Sequence, residues 1–215
     1  MDTSNLRHII PVLASGSLIT LKLTCIAIII GCIIGVLIAV LKILPNKILR
    51  IIGNFYTWIF RGTPLLLQLF VFYYGLPALG LMLTPTESAI LGLSLNSGAY
   101  IAEIIRGGIL AINKGQFEAA KALGFTYGQT LRKIILPQTF RIVLPPLGNE
   151  FIAMIKDTSL VSVITMEELL RKAQLLVSAS GDPFTPYLFT GIFYLILTTL
   201  FTTLFSHIEK KVSIY

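Results

Sequence analysis

Residues 23–41 read LTCIAIIIGCIIGVLIAVL, a run of 19 residues without a charged side chain. The rest of the chain has a similar character, since 55% of its 215 residues are hydrophobic and only 13% are charged. Soluble domains carry about 25% charged residues. The composition therefore excludes an ordinary soluble protein and predicts an all-α integral membrane protein.

Further apolar stretches extend this prediction to the whole chain. About 20 apolar residues are needed to cross the hydrocarbon layer of a bilayer. The predicted spans are residues 23–41, 62–86, 88–105, 147–164 and 183–208. In the second stretch, Pro77 and Gly80 predict that the helix ends before the apolar run does. We therefore expect five transmembrane helices in a single unit covering residues 1–215.

The basic residues predict the orientation of these helices. Residues 76–85, between the second and third spans, contain no Lys or Arg. The alternate connections and the tail are rich in cations: Lys42, Lys47, Arg50, Arg106, Lys114, Lys121, Arg132, Lys133, Arg141, Lys210 and Lys211. Because basic loops remain on the cytoplasmic side, the N-terminus is predicted outside and the C-terminus in the cytoplasm. The charged residues 167, 168, 171 and 172 predict a solvated amphipathic helix outside the membrane.

A charged insert interrupts the apolar pattern at residues 115–137, GQFEAAKALGFTYGQTLRKIILP. It lies in a cytoplasmic segment of about residues 107–146, which is too long for a simple turn. Apolar residues at helical spacing predict two short helices. Gly124 allows a left-handed bend between them, where a bulky residue is expected to block the bend. Pro137 is predicted to end the second helix, because the residue before a proline is pushed out of the α region.

Two interpretations fit this insert on its pattern alone. It is either an amphipathic helix on the inner leaflet, with basic residues against anionic lipid, or a docking element for a cytoplasmic protein. The chain has no G-x-x-x-x-G-K-[ST] nucleotide loop. Any energy source is therefore on another chain or in an ion gradient.

The spacing within the insert resembles a known motif. Glu118-Ala119-Ala120, then Gly124 after three residues, then Ile134-x-Leu136-Pro137 after nine more, resembles the coupling motif of permease subunits of bacterial ATP-binding-cassette (ABC) importers. Three further blocks resemble the polar amino-acid branch of that family. They are RGTPL at 61–65, AYIAEIIRGG at 99–108 and KDTSL at 156–160.

The resemblance implies a type I importer permease in the cytoplasmic membrane of a prokaryote. Its partners would be a cytoplasmic ATPase dimer, a second permease copy (identical or closely related) and an extracytoplasmic solute-binding protein, with no nucleic acid. ATP and Mg would be bound by the ATPase, so that this chain carries no cofactor and is not itself an enzyme. The residues implied in ATPase coupling are Glu118, Ala119, Ala120, Gly124, Leu136 and Pro137.

Polar side chains within the spans indicate a translocation pathway, because ionisable groups in a bilayer are costly. The predicted solute contacts are Asn96, Tyr100, Glu103, Glu150, Asp157 and Thr158. Their carboxylates favour a cationic solute, which within this branch means a basic amino acid, with glutamine as the next candidate. Three structural alternatives remain open. For Glu103, the alternative is neutralisation by Arg106 at i+3. For Asp157 it is a cap on a following helix, and for Arg61 it is extension to the membrane interface.

Two other function classes remain open. A gradient-driven carrier or channel would use Glu103 and Asp157 as a proton relay and would need no ATPase. A membrane enzyme or assembly scaffold has no supporting catalytic constellation in the sequence.

Overall fold

The computed structural model describes residues 3–212, so residues 1–2 and 213–215 of the predicted unit lie outside it. Every regular element among the described residues is helical, which confirms the all-α prediction. The α-helices are α1 (Thr3–Ile43), α2 (Lys47–Gly62), α3 (Leu65–Phe70), α4 (Pro85–Leu110), α5 (Lys114–Ala122), α6 (Tyr127–Thr130), α7 (Leu136–Asp157), α8 (Leu169–Ser180) and α9 (Phe184–Val212). Single π turns occupy Val71–Gly75 and Leu131–Ile135, and 3₁₀ segments occupy Leu76–Leu79 and Thr158–Ile164.

Three of these helices, α1, α4 and α9, are long and apolar enough to cross a membrane. A fourth candidate is the pair formed by α2 and the helical stretch Leu65–Leu79, which is bent by 100° between its halves. The second predicted span, residues 62–86, therefore covers only the second half of this bent pair, and α2 lies almost entirely before it. Its helical stretch ends at Leu79, as predicted, and Gly80 follows with a φ of 81°.

The fourth predicted span, residues 147–164, differs most from expectation. It combines the end of α7 with the 3₁₀ segment Thr158–Ile164. Among residues 3–212, it is not one of the helices that are long and apolar enough to cross a membrane. The sequence here includes Glu150, Lys156 and Asp157.

Helices α1 and α4 form the most extensive helix pair, and both are longer than their charge-free runs. Small residues let them approach closely. A Cβ atom at Gly35 would lie 2.6 Å from Ile101 Cγ2, and one at Gly31 would lie 3.1 Å from Ser97 Cβ. This contact brings Lys42, near the end of α1, against Glu103 of α4.

The predicted helix end at Pro137 is wrong. Pro137 lies in the first turn of α7, and Leu136 before it keeps α-helical dihedrals of −59° and −42°. The preceding π turn accommodates the proline, since the Leu136 N–H donates to the Leu131 carbonyl and such local π adjustments re-satisfy backbone groups freed by proline. The π turn Leu131–Ile135 joins α6 to α7, so the helical path runs on from the insert. Pro145 and Pro146 lie further along, inside α7.

The two acidic residues before α8, Glu167 and Glu168, lie in different environments. Glu167 is exposed, and its hydrogen bond and charge pairing with Lys172 hold the pKa of its carboxyl below the usual range. Glu168 is fully buried, contrary to the predicted solvated helix. Its carboxylate caps α8 by accepting hydrogen bonds from the backbone N–H groups of Leu170 and Arg171, and it also accepts one from the Tyr194 hydroxyl of α9.

Candidate functional site

A cavity of about 550 Å³ opens where the break between α2 and α3 faces α4 and α7. Four of the six predicted solute contacts line it: Asn96, Tyr100, Glu150 and Asp157. The remaining lining residues are Arg61, Gly62, Thr63, Pro64, Leu65 and Ala153. The structure therefore brings together polar groups from helices that are distant in sequence.

Glu103 and Thr158 do not line this cavity. Glu103 forms ion pairs with Lys42 and Arg106, and its Oε2 accepts hydrogen bonds from Arg106 Nε at 2.9 Å and Nη2 at 2.8 Å. This is the ion-pair arrangement left open by the sequence. Thr158 is fully buried, and its hydroxyl donates to the Ile155 carbonyl at 2.7 Å. Asp157 makes no side-chain capping bond, which leaves its carboxylate to the cavity.

The buried side-chain amides of Gln68 and Asn96 stabilise the break between α2 and α3. Gln68 Nε2 donates to the Phe60 carbonyl at 3.0 Å, and to the carbonyl and hydroxyl of Thr63 at 3.1 and 2.9 Å. Asn96 Nδ2 donates to the Phe60 carbonyl at 3.0 Å and to Gln68 Oε1 at 3.1 Å. These donors satisfy backbone carbonyls that the break frees from helical bonding. Both amide hydrogens of Asn96 are therefore used to position this backbone.

We expect Gln68→Leu to destabilise the protein by about 1–3 kcal/mol, because the Phe60 and Thr63 carbonyls lose a buried donor. The unfolding midpoint of the detergent-purified protein measures this effect. Gln116→Leu is the matched control, since Gln116 is exposed and its side chain accepts only one long hydrogen bond, at 3.4 Å from Gln138 Nε2. Equal unfolding midpoints for the two variants would contradict a stabilising role of the Gln68 hydrogen bonds at the break.

Sequence reasoning missed Arg61 as a wall of the cavity. Its guanidinium carbon lies 5.2 Å from the centroid of the Tyr100 ring, and Nη1 is 4.0 Å from Glu103 Oε2. The cavity thus combines the Arg61 guanidinium with the carboxylates of Glu150 and Asp157. One signal was available in the sequence, because the RGTPL block places an arginine directly before a proline-containing break.

The insert forms two short helices joined by a defined turn, as predicted. Gly124 has a φ of 78°. Its N–H donates to the Lys121 carbonyl, and the N–H of Phe125 donates to the Ala120 carbonyl, each at 3.0 Å. This is the Schellman pattern, which requires a left-handed residue after the helix. Thr126 and Gln129 then form a capping box that begins α6.

The predicted coupling residues differ in how much of their surface is exposed to solvent. Ala120 is buried, with 1% of its surface exposed, so it packs within the insert and is not available for contact. The exposed members are Glu118, Ala119, Gly124, Leu136 and Pro137. Leu123 and Tyr127 beside the turn are also exposed, at 76% and 71%, and hence present large apolar side chains on the same part of the chain.

Comparison with known proteins identifies the class of protein. Residues 27–214 match the family described as binding-protein-dependent transport system inner membrane component. The chain belongs to this family, and the predicted membership in the permease subunits of ABC importers is confirmed. It is an integral membrane protein of the bacterial inner membrane and a transport subunit.

Relatives over nearly the full length place the chain in the amino-acid branch. It is 42% identical over 200 residues to the putative glutamine transport system permease protein GlnP of Rickettsia conorii, covering 93% of this chain and 92% of the relative. It is 40% identical over 203 residues to the arginine transport system permease protein ArtQ of Bacillus subtilis, covering 94% and 93%. The L-cystine transport system permease protein TcyB of Bacillus subtilis is 41% identical over 206 residues, covering 95% and 88%.

Solved structures agree with this placement. An amino acid ABC transporter crystallised with histidines has a chain that is 39% identical, with a TM-score of 0.94 over 98% of this chain and 99% of that one. The MetNI methionine ABC transporter has a chain at 21% identity with a TM-score of 0.82, over 99% of this chain and 100% of that one. The second likeness concerns the fold alone.

Proposed function

We propose that this permease subunit moves a polar amino acid through the cavity at the helix break, driven by ATPase subunits that dock on the insert. The observation that carries the proposal is the cavity itself, which combines Arg61 with Glu150 and Asp157 beside a broken membrane helix. Irregular backbone at membrane depth is tolerated where it lines a cavity. Broken helices are a recurring way to build transport sites.

The proposed topology has five spans, with the N-terminus outside and the C-terminus in the cytoplasm. In this arrangement α7 and the 3₁₀ segment Thr158–Ile164 form the fourth span, although they are too polar to qualify by composition. Their polarity is consistent with the proposal, because Glu150 and Asp157 face the cavity. The whole chain would form one permease unit, with residues of about 107–146 as its cytoplasmic coupling segment.

The proposed solute class is a polar and preferably basic amino acid. Two carboxylates against one guanidinium give the charged lining a formal excess of one negative charge, which favours a solute with a cationic side chain. Glutamine and other polar amino acids are the alternative, supported by relatives named for glutamine and cystine transport.

The proposed partners follow from two features. One permease unit is expected to supply only half of a translocation pathway, and the sequence has no nucleotide-binding loop. A second permease copy, identical or closely related, would complete the translocation unit. Two cytoplasmic ATPase subunits would bind ATP and Mg, and an extracytoplasmic binding protein would deliver the solute. In the insert, Glu118 and Ala119 would contact the ATPase, and Ala120 and Gly124 would maintain the turn. Leu136 and Pro137 would connect the contact to α7.

The gradient-driven alternative loses its specific support from the geometry. It requires Glu103 and Asp157 to act as one proton relay, yet Glu103 is hydrogen-bonded by Lys42 and Arg106 and does not line the cavity that Asp157 lines.

Reconstitution in liposomes tests the proposed function. The permease is purified with the ATPase that accompanies it, and uptake of labelled arginine is measured with binding protein present, with and without internal ATP. We expect uptake that requires ATP and is competed by lysine more strongly than by glutamine. Uptake driven by a proton gradient in the absence of ATP would overturn the importer mechanism. Stronger competition by glutamine would overturn only the basic preference.

A further inference from the structure

Arg61 lies in the last turn of α2, directly before the helix break. Its side chain is 43% exposed and borders the cavity. The guanidinium lies near the Tyr100 ring, with its carbon 5.2 Å from the ring centroid, an arrangement typical of cation–π contact. The position of this cation is therefore set by an aromatic neighbour and leaves charge available toward the cavity.

Nearby Glu103 takes up only part of that charge. Its two oxygens are hydrogen-bonded by Lys42 and Arg106, whereas its salt bridge with Arg61 Nη1 is long, at 4.0 Å. Among the side chains of residues 7–212 that the structure describes, none accepts a hydrogen bond from Arg61. Its planar set of N–H donors, which matches the geometry of a carboxylate, therefore retains the capacity to bind one from the cavity.

The opposite charges come from α7. Glu150 and Asp157 are seven positions apart, so they lie on one helix face about 10 Å apart along the axis. Both line the same cavity as Arg61. The cavity therefore presents one cation from α2 and two anions from α7.

This charge pattern matches an amino acid and not a simple cation. An α-carboxylate removed from water needs a partner of opposite charge. Resting on the proposed function, we infer that Arg61 binds the α-carboxylate of the transported amino acid, while Glu150 and Asp157 take its α-ammonium group and any cationic side chain. Arg61 is thus a specificity residue that separates amino acids from the corresponding amines.

The test compares each amino acid with the same molecule lacking its carboxylate. The permease is purified with its ATPase, and binding of arginine and of agmatine, its decarboxylated amine, is measured by calorimetry. The pair glutamine and 4-aminobutanamide serves if glutamine is the better solute in the uptake assay. We expect Arg61→Gln to weaken binding of the amino acid about 30-fold or more, with the amine bound as well as before or better. Arg61→Lys is expected to give an intermediate ratio, because it keeps the charge but not the planar donors.

Arg50→Gln is the matched control, since Arg50 is an exposed arginine on the same helix. It should leave the ratio of the two affinities unchanged. An unchanged ratio in Arg61→Gln would overturn the inference. So would an equal loss of both ligands, because a carboxylate receptor has no reason to weaken an amine. Either result can occur in a complex that still imports amino acids with ATP, so the proposed function is judged separately.

Discussion

Gly124→Val is expected to lower solute-stimulated ATP hydrolysis of the reconstituted complex at least about tenfold while leaving the protein in the membrane. The reason is the φ of 78° at this position, which a β-branched residue adopts only as an outlier. A residue with a Cβ in the left-handed region costs about 1–2 kcal/mol or more. Relief of that strain would open the Schellman turn and redirect α6. Side-chain size is not the obstacle, because a Cβ at Gly124 meets nothing within 4 Å.

Gly124→Asn separates backbone geometry from bulk. Asparagine tolerates left-handed dihedrals while adding a side chain comparable in size to valine. We expect it to retain most of the stimulated hydrolysis. If both variants lose it equally, an added side chain obstructs the partner and turn geometry is not the cause. Normal stimulation in Gly124→Val would contradict a coupling role for this turn altogether.

Glu103→Gln is expected to destabilise the protein by about 1–3 kcal/mol, because a partly buried lysine loses its charged partner. The Glu103 side chain is only 16% exposed, and that of Lys42 only 8%. Without the carboxylate, Lys42 keeps only neutral acceptors, namely the amide oxygen of the new glutamine and the Thr57 hydroxyl at 2.7 Å. Lys42, Arg61 and Arg106 would also repel one another. The unfolding midpoint of the purified protein measures the loss.

Two further variants make this prediction specific. Glu167→Gln removes a carboxylate from an exposed pair, and we expect almost no change because exposed ion pairs contribute little. The double variant Lys42→Met with Glu103→Gln should recover part of the stability, since the abandoned cation is also gone. A Glu103→Gln protein of normal stability that selectively lost arginine uptake would contradict this structural role and support direct contact with the solute.

Several features were predictable because they depend on a residue and its sequence neighbours. Charge-free runs predicted the all-helical membrane fold, and Pro77 with Gly80 predicted where one helix stops. Gly124 predicted the left-handed bend in the insert. Such signals are local, since glycine and proline restrict or free their own dihedrals wherever they occur.

The remaining features depend on contacts between distant parts of the chain. Lys42 and Glu103 are 61 positions apart, so nothing local indicates that α1 continues through a lysine to reach a carboxylate. Pro137 was expected to stop a helix because the continuation through the π turn into α7 could not be foreseen. Glu168 looked solvated because its charge was visible and its partner on α9 was not. Arg61 was assigned to the interface for the same reason, since the cavity takes its other walls from α4 and α7.

The unbroken helical path from the π turn Leu131–Ile135 through α7 has a thermodynamic consequence. It joins the insert at one end to Glu150 and Asp157 at the other. If a docked ATPase favours one setting of this path, it changes the affinity of the cavity for its solute by some factor. Linkage then requires the solute to change the affinity for the ATPase by the same factor. Titrating the ATPase against permease with and without solute would therefore measure the coupling free energy between solute binding and ATPase docking.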